Sequence, residues 1–120
     1  MMNFALTAQE GFALARLDGL VTLEAWQAVL EKLSAALVAA AAPPRLVIDM
    51  TAVLGYLGIP ERRMVGTLMA RHFGALEKVA IVVQAEKITG VVSGEAQRLG
   101  LDLQLFPEYD DAVAWISSSK

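Results

Sequence analysis

The chain has 120 residues, a formal net charge of −3 and no cysteine, and the missing cysteine excludes disulfide staples, thiolate metal sites and thiol nucleophiles together. With 56% hydrophobic and 19% charged residues, it has enough apolar surface to offset the entropy of folding, which excludes a disordered chain. The acidic balance and scattered basic residues exclude the electrostatic footprint of a nucleic-acid binder, and no unbroken apolar stretch of about twenty residues is present to span a bilayer.

Residues 3–8 and 12–17 are short runs of strand formers separated by Gln9, Glu10 and Gly11, which predicts an opening hairpin with glycine supplying the positive φ. Thr22 caps a predicted helix in which Trp26, Val29, Leu30, Leu33 and Leu37 recur at helical spacing; it runs to about Ala41, where Pro43 and Pro44 stop it. Residues 45–50 and 78–84 are apolar at nearly every position, the pattern of strands covered on both faces, and are expected adjacent or nearly so at the centre of the sheet. Between them Pro60 opens a helix that turns Val65, Leu68, Met69, Phe73 and Leu76 inward and leaves Arg62, Arg63 and Arg71 to solvent. A third helix is predicted from about Glu86 to Leu99, with Gly90 and Gly94 letting its backbone pack closely on the sheet and Gly100 as its stop. Residues 101–106 read as the last strand. Residues 109–117 read as the last helix, with Asp110 and Asp111 near its positive end. Trp26 and Trp115 both fall at inward positions and are expected to pack in the core, with a dimer face or pocket wall as the lesser alternative for one of them. The order ββαβαβαβα predicts an α/β fold, a single mixed, mostly parallel sheet of four to five strands flanked by four helices, in one domain over 1–120. The N-terminal text MMNFALTAQEG has neither a basic region nor a long apolar core, so an unexported, cytoplasmic protein is expected.

Four local texts in this order, LDGLVT at 17–22, LVIDMTAVLGYLG at 46–58, VAIVV at 79–83 and LFPEYDDAVAWI at 105–116, resemble the STAS domains (sulfate transporter and anti-sigma-factor antagonist). They resemble in particular the stand-alone, sporulation anti-sigma-factor-antagonist-like proteins of bacteria, whose fold is related to CRAL-TRIO lipid-binding domains. The resemblance covers nearly the whole chain and implies a STAS-like, non-catalytic binding or regulatory module. Switch members of the family carry a phosphorylatable serine or threonine where the helix after the Asp-ending strand begins. The matching stretch here, Gly55-Tyr56-Leu57-Gly58-Ile59-Pro60, has neither, so a serine phospho-switch is not expected. Its glycine-plus-aromatic text resembles the subgroup that suggests a hydrophobic ligand or a partner protein.

No GxxxxGK[ST] motif occurs, and GYLG lacks the third glycine of a dinucleotide fingerprint, so no cofactor is expected. A single histidine, His72, excludes a histidine metal cluster. The candidate site is loop 51–59 with the following helix: Tyr56, Leu57, Ile59 and Met64 offer apolar area, and Arg62 and Arg63 would orient whatever binds. The expected occupant is an unidentified partner protein or an apolar small molecule, and a homodimer is compatible with the same features. The contrasting reading is a small enzyme using Asp49, at the C-terminal end of a buried strand where open α/β sheets place ligands, together with His72. The plainer reading has Asp49 accepting hydrogen bonds from the residues after it, His72 packed beside Phe73, and Met64 and Met69 in the core.

Overall fold

Capping, proline stops and double-sided apolar runs place the elements close to where the sequence predicts them. The computed structural model describes residues 2–118. It comprises β1 (Met2–Ala8), β2 (Ala13–Leu20), α1 (Leu23–Ala39), β3 (Arg45–Leu54), α2 (Ile59–Phe73), β4 (Lys78–Val82), a 3-10 turn at Ala85–Lys87, α3 (Val91–Arg98), β5 (Leu103–Phe106) and α4 (Tyr109–Ser117). The five strands form one sheet in the order β1-β2-β3-β4-β5. The opening hairpin is antiparallel and every later pair is parallel. Gly11 supplies the hairpin's positive φ of 85°, and β3 and β4 are adjacent, as their double-sided hydrophobicity requires.

This strand order dictates where the helices go. Parallel strands added one after another by crossovers of a single hand put every crossover helix on the same face. The inward residues of α1 and α2, with Ala96 of α3, accordingly share one core with Ala15, Leu17, Leu46, Ile48, Val79 and Ile81 of the strands. Only α4 returns to the other face, where Ala112 and Ile116 cover Phe12, Leu14, Val47, Ala80 and Val82. The opposite face of β2 beyond Leu14 is left open and carries Arg16 and Asp18.

Two cations at the starts of neighbouring strands fasten α4. Arg45 and Lys78 are register partners. Arg45 Nη1 donates to the carbonyls of Ile116 and Ser118 at 2.8 and 2.7 Å. Lys78, only 3% exposed, donates to Trp115 O at 3.0 Å and to Ser118 O and Oγ at 3.1 and 2.7 Å, and its ammonium lies 4.9 Å from the centroid of the Trp115 ring. Positive charge at a helix C-terminus is favourable because the last carbonyls there are unpaired and carry the negative end of the helix dipole.

Helix α2 ends at Phe73, short of Leu76, β2 runs on to Leu20, and β4 and β5 are shorter than expected; three further boundaries differ for a local reason. Helix α1 stops at Ala39 because Ala41 turns left-handed at φ 49°. Ala41 and Ala42 then donate back to Val38 O and Leu37 O at 3.1 Å each, closing the end without glycine. The helix expected over 86–99 is broken: α3 begins only at Val91, after Gly90 at φ 80°. Gly90 and Gly94 both face open space, and the close backbone approach belongs instead to Gly66 of α2. A Cβ there would stand 2.7 Å from Val92 O and 2.8 Å from Glu95 Cβ. Finally, residues 51–54, expected in a loop, continue β3 as strand.

Candidate binding site

The extension of β3 creates the site. β3 pairs with β4 only as far as Asp49↔Val82, whereas its pairing with β2 continues to Leu20↔Leu54. The two strands therefore run on past the ends of β4 and β5 as a ribbon. Along the side of β3 that has lost its neighbour, side chains replace the missing strand: Gln84 Nε2 donates to Thr51 O at 2.9 Å and Lys87 Nζ to Val53 O at 3.3 Å. The ribbon ends at Gly55, whose φ of 98° and contact with Val21 Cγ1, 3.2 Å from where a Cβ would sit, leave room only for glycine. The chain then crosses through Tyr56 and Leu57 to Gly58, the N-cap of α2, with Pro60 in its first turn.

Beneath this crossing lies a small apolar cavity of about 80 Å³. Trp26, Met50, Val53, Leu57, Ile81 and Leu105 are among its walls, so it sits over the C-terminal ends of the parallel strands, the position open α/β sheets use for ligands. Two cations lie at its mouth. Lys87 stands 4.9 Å from the Tyr56 ring centroid, and Arg62 Nη1 donates to Thr89 Oγ1 at 3.2 Å, tying α2 to the segment before α3.

The predicted site residues divide into two groups. Tyr56, Leu57 and Arg62 line the cavity, while Ile59, Arg63 and Met64 lie outside its lining. Tyr56, Ile59 and Met64 are 67, 59 and 46% exposed. Leu57 packs against the main core, so it is not the freely exposed loop residue its surroundings in sequence suggest. Met69 is fully buried and Met64 is not; at about 100° per residue, Met64 also points about 140° away from Ile59 around α2. Arg63 sits outward, near Glu95. That carboxyl is held below its usual range, first by its hydrogen bond from Arg98 and further by the Thr67 hydroxyl and the charge of Arg63.

Asp49 and His72 are not brought together. Asp49 alternates with Ile48 and Met50 of the main core and so points to the opposite face of the sheet from α2, which carries His72. Its oxygens accept from Thr51 N at 3.0 Å and Thr51 Oγ1 at 2.7 Å and face Arg16 Nε at 3.7 Å, the plainer of the two roles predicted for it. His72 lies half-buried in the last turn of α2, next to Phe73. Among the described residues no cluster of histidine, aspartate and glutamate could hold a metal ion, and no helix is long and apolar enough to cross a membrane.

Sequence reasoning missed Leu20, Leu54 and Lys87, and it held a pocket-wall role for Trp26 only as a minor alternative to core packing; Trp26 lines the cavity and is also buried in the core. A signal for the first two was present, since Val53-Leu54 before Gly55 is a strand ending in a glycine stop. Nothing local marked Lys87, because its role depends on the broken third helix.

The sheet order and the unequal cover of its faces define a STAS-type α/β module. The chain belongs to the SpoIIAA-like family, whose pattern matches residues 14–117. Its fold is similar to the crystal structure of an anti-sigma factor antagonist from Mycobacterium paratuberculosis, with a TM-score of 0.69 and 23% identity over 98% of this chain and 96% of the other. It is also similar to an uncharacterised protein with a SpoIIAA-like fold from Shewanella loihica, with a TM-score of 0.60 and 20% identity over 96% of this chain and 93% of the other. Among curated proteins, none matches the chain.

Proposed function

We propose that this chain is a non-catalytic regulatory module that docks a partner protein on the tip formed by the β2–β3 ribbon, the crossing 55–58 and the start of α2. One observation carries the reading. Of the seven large apolar residues exposed on the described surface, Leu20, Leu54, Tyr56 and Ile59 lie at this end, while Met64 is turned to another side of α2 and Val38 and Leu99 lie elsewhere. Exposed apolar side chains gathered in one region mark interaction surfaces, whereas single ones are ordinary. Arg62 and Arg63 beside them favour a partner segment that is apolar and acidic. The anti-sigma factor antagonist among the similar structures supports a protein as the occupant. The cavity supports a second reading, an apolar small molecule. Its lining is mostly apolar, with Tyr56, Arg62 and Lys87 among its walls.

A photo-crosslinking residue in place of Ile59, compared with one in place of Leu99, tests the docking surface in the native cell. A discrete protein adduct is expected at Ile59, suppressed by Tyr56→Ser and missing at Leu99. Because Tyr56 and Ile59 are exposed, the Tyr56→Ser, Ile59→Ser double variant should change unfolding free energy by no more than about 0.5 kcal/mol. Equal labelling at both positions, or none at Ile59, would sink the proposal. A small molecule seen by native mass spectrometry and lost on Leu57→Ser would favour the second reading.

A further inference from the structure

The two edges of the sheet are finished differently. β5 is only four residues long and is bracketed by Asp102 before it and Pro107 and Glu108 after it, the usual means by which an edge is kept from pairing with another chain. β1 is seven residues long. It contains no charge and no proline, and it pairs with β2 in unbroken register from Met2↔Gly19 to Ala8↔Ala13. Among the described residues no backbone hydrogen bond joins β1 to anything but β2, so its outer row of donors and acceptors is unpaired. A long, flat, uncharged edge of this kind is a template for strand addition.

The surroundings of β1 identify the strand that fits. Its side chains alternate: Met2, Phe4 and Leu6 lie on the helix-covered side with the main core, and Asn3, Ala5 and Thr7 are exposed. A second copy turned by a two-fold axis normal to the sheet, just outside the edge at the level of Phe4, would set Phe4 opposite Phe4, Met2 opposite Leu6 and Asn3 opposite Ala5. Apolar residues would then meet apolar ones under the helices. α1 lies directly over this edge. The groove between them is lined by Met2, Asn3 and Phe4 from the strand and by Glu24, Ala28 and Lys32, among others, from the helix. Glu24 and Lys32 lie one turn either side of Ala28 on the same stripe, and neither has a hydrogen-bonding or ion-pair partner among the described residues. The same two-fold axis brings Glu24 of each copy to Lys32 of the other, with the small Ala28 at the centre where two helices must approach.

We propose that a second copy of this chain adds along β1, extending the sheet across a two-fold axis and pairing Glu24 with Lys32 between the two α1 helices. The surface is self-complementary in strand pattern and in charge, as a symmetric dimer contact must be. It runs along a different edge from the docking tip and meets it only at its Met2 end, where Met2 pairs with Gly19 beside Leu20.

Sedimentation equilibrium of the full chain tests this. The wild type is expected to dimerise. Lys32→Glu alone should weaken the dimer by about tenfold, since it sets like charges opposite each other twice per dimer. Adding Glu24→Lys should restore it, because the pairs are then exchanged rather than lost. Ala5→Lys, which places a charge on the exposed side of the edge, should also yield monomer, with circular dichroism confirming that each variant is folded. A monomeric wild type at high micromolar concentration overturns the proposal. So does a dimer indifferent to Lys32→Glu, or a double variant that fails to recover. A wild-type monomer that captures an added peptide of sequence MNFALTA would show instead that this edge takes a foreign strand.

Discussion

The two ends of the parallel strands are built on opposite plans. At their N-terminal ends, the side chains of Arg45 and Lys78 are consumed in fastening the last turn of α4. At their C-terminal ends, Leu20, Leu54, Tyr56 and Ile59 face solvent over a small void, and the cations Arg62 and Lys87 make one hydrogen bond each. The first end holds α4, and through it the second core, in place; the second end exposes apolar side chains above buried main-core residues such as Trp26 and Val53. That division lets the open end vary in what it binds without putting the fold at risk.

The comparison breaks most readily at Lys78. Lys78→Met removes three donated hydrogen bonds at a buried site and leaves the final carbonyls of α4 with only Arg45 and Ser118 as donors. A loss of about 2–3 kcal/mol in urea unfolding is expected, with crosslinking through Ile59 unchanged in the folded fraction. A loss under about 0.5 kcal/mol would mean that the closed end is not where stability resides. Gly66→Ala sharpens the comparison, because Gly66 lets α3 approach α2 and so sets the position of Val92 in the cavity wall. The alanine gains about 1 kcal/mol in helix propensity. Its Cβ, however, meets a carbonyl oxygen at 2.7 Å that belongs to backbone and cannot swing aside. A net destabilisation of about 1–3 kcal/mol is expected, accompanied by altered labelling at the tip. The smallest effect lies back at the closed end. Ala41→Gly relieves a left-handed alanine at φ 49° and should stabilise by about 0.5–1 kcal/mol. A calorimetric melt that moves down rather than up would show that the strain is not there.

What could be read from the sequence follows the same division. The buried strands, the capping threonine and the proline stops are local signals, and the element order followed from them. The run of alanines before Pro43 concealed where α1 ends, since alanine rarely takes the turn that Ala41 takes here. Gly90 and Gly94 invited a packing role that belongs to Gly66, because a contact between two helices leaves no mark in either sequence alone. At the tip, Tyr56 and Arg62 were legible as candidates from composition beside a helix start. The ribbon that lifts Leu20 and Leu54 to the surface was not, because it exists only where β4 stops short of its neighbour.

The sheet order carries one further consequence, for how the chain assembles. Every strand lies beside its neighbour in sequence, so no pairing has to wait for a distant segment, and the cost of closing long loops is kept small. The sheet can grow in the order of synthesis, each crossover helix settling on the same face as it forms. The other face has no such provision until α4 is made. Val47, Ala80 and Val82 stay uncovered through that interval, and the docking of α4 onto Arg45 and Lys78 is the step that ends their exposure to aggregation.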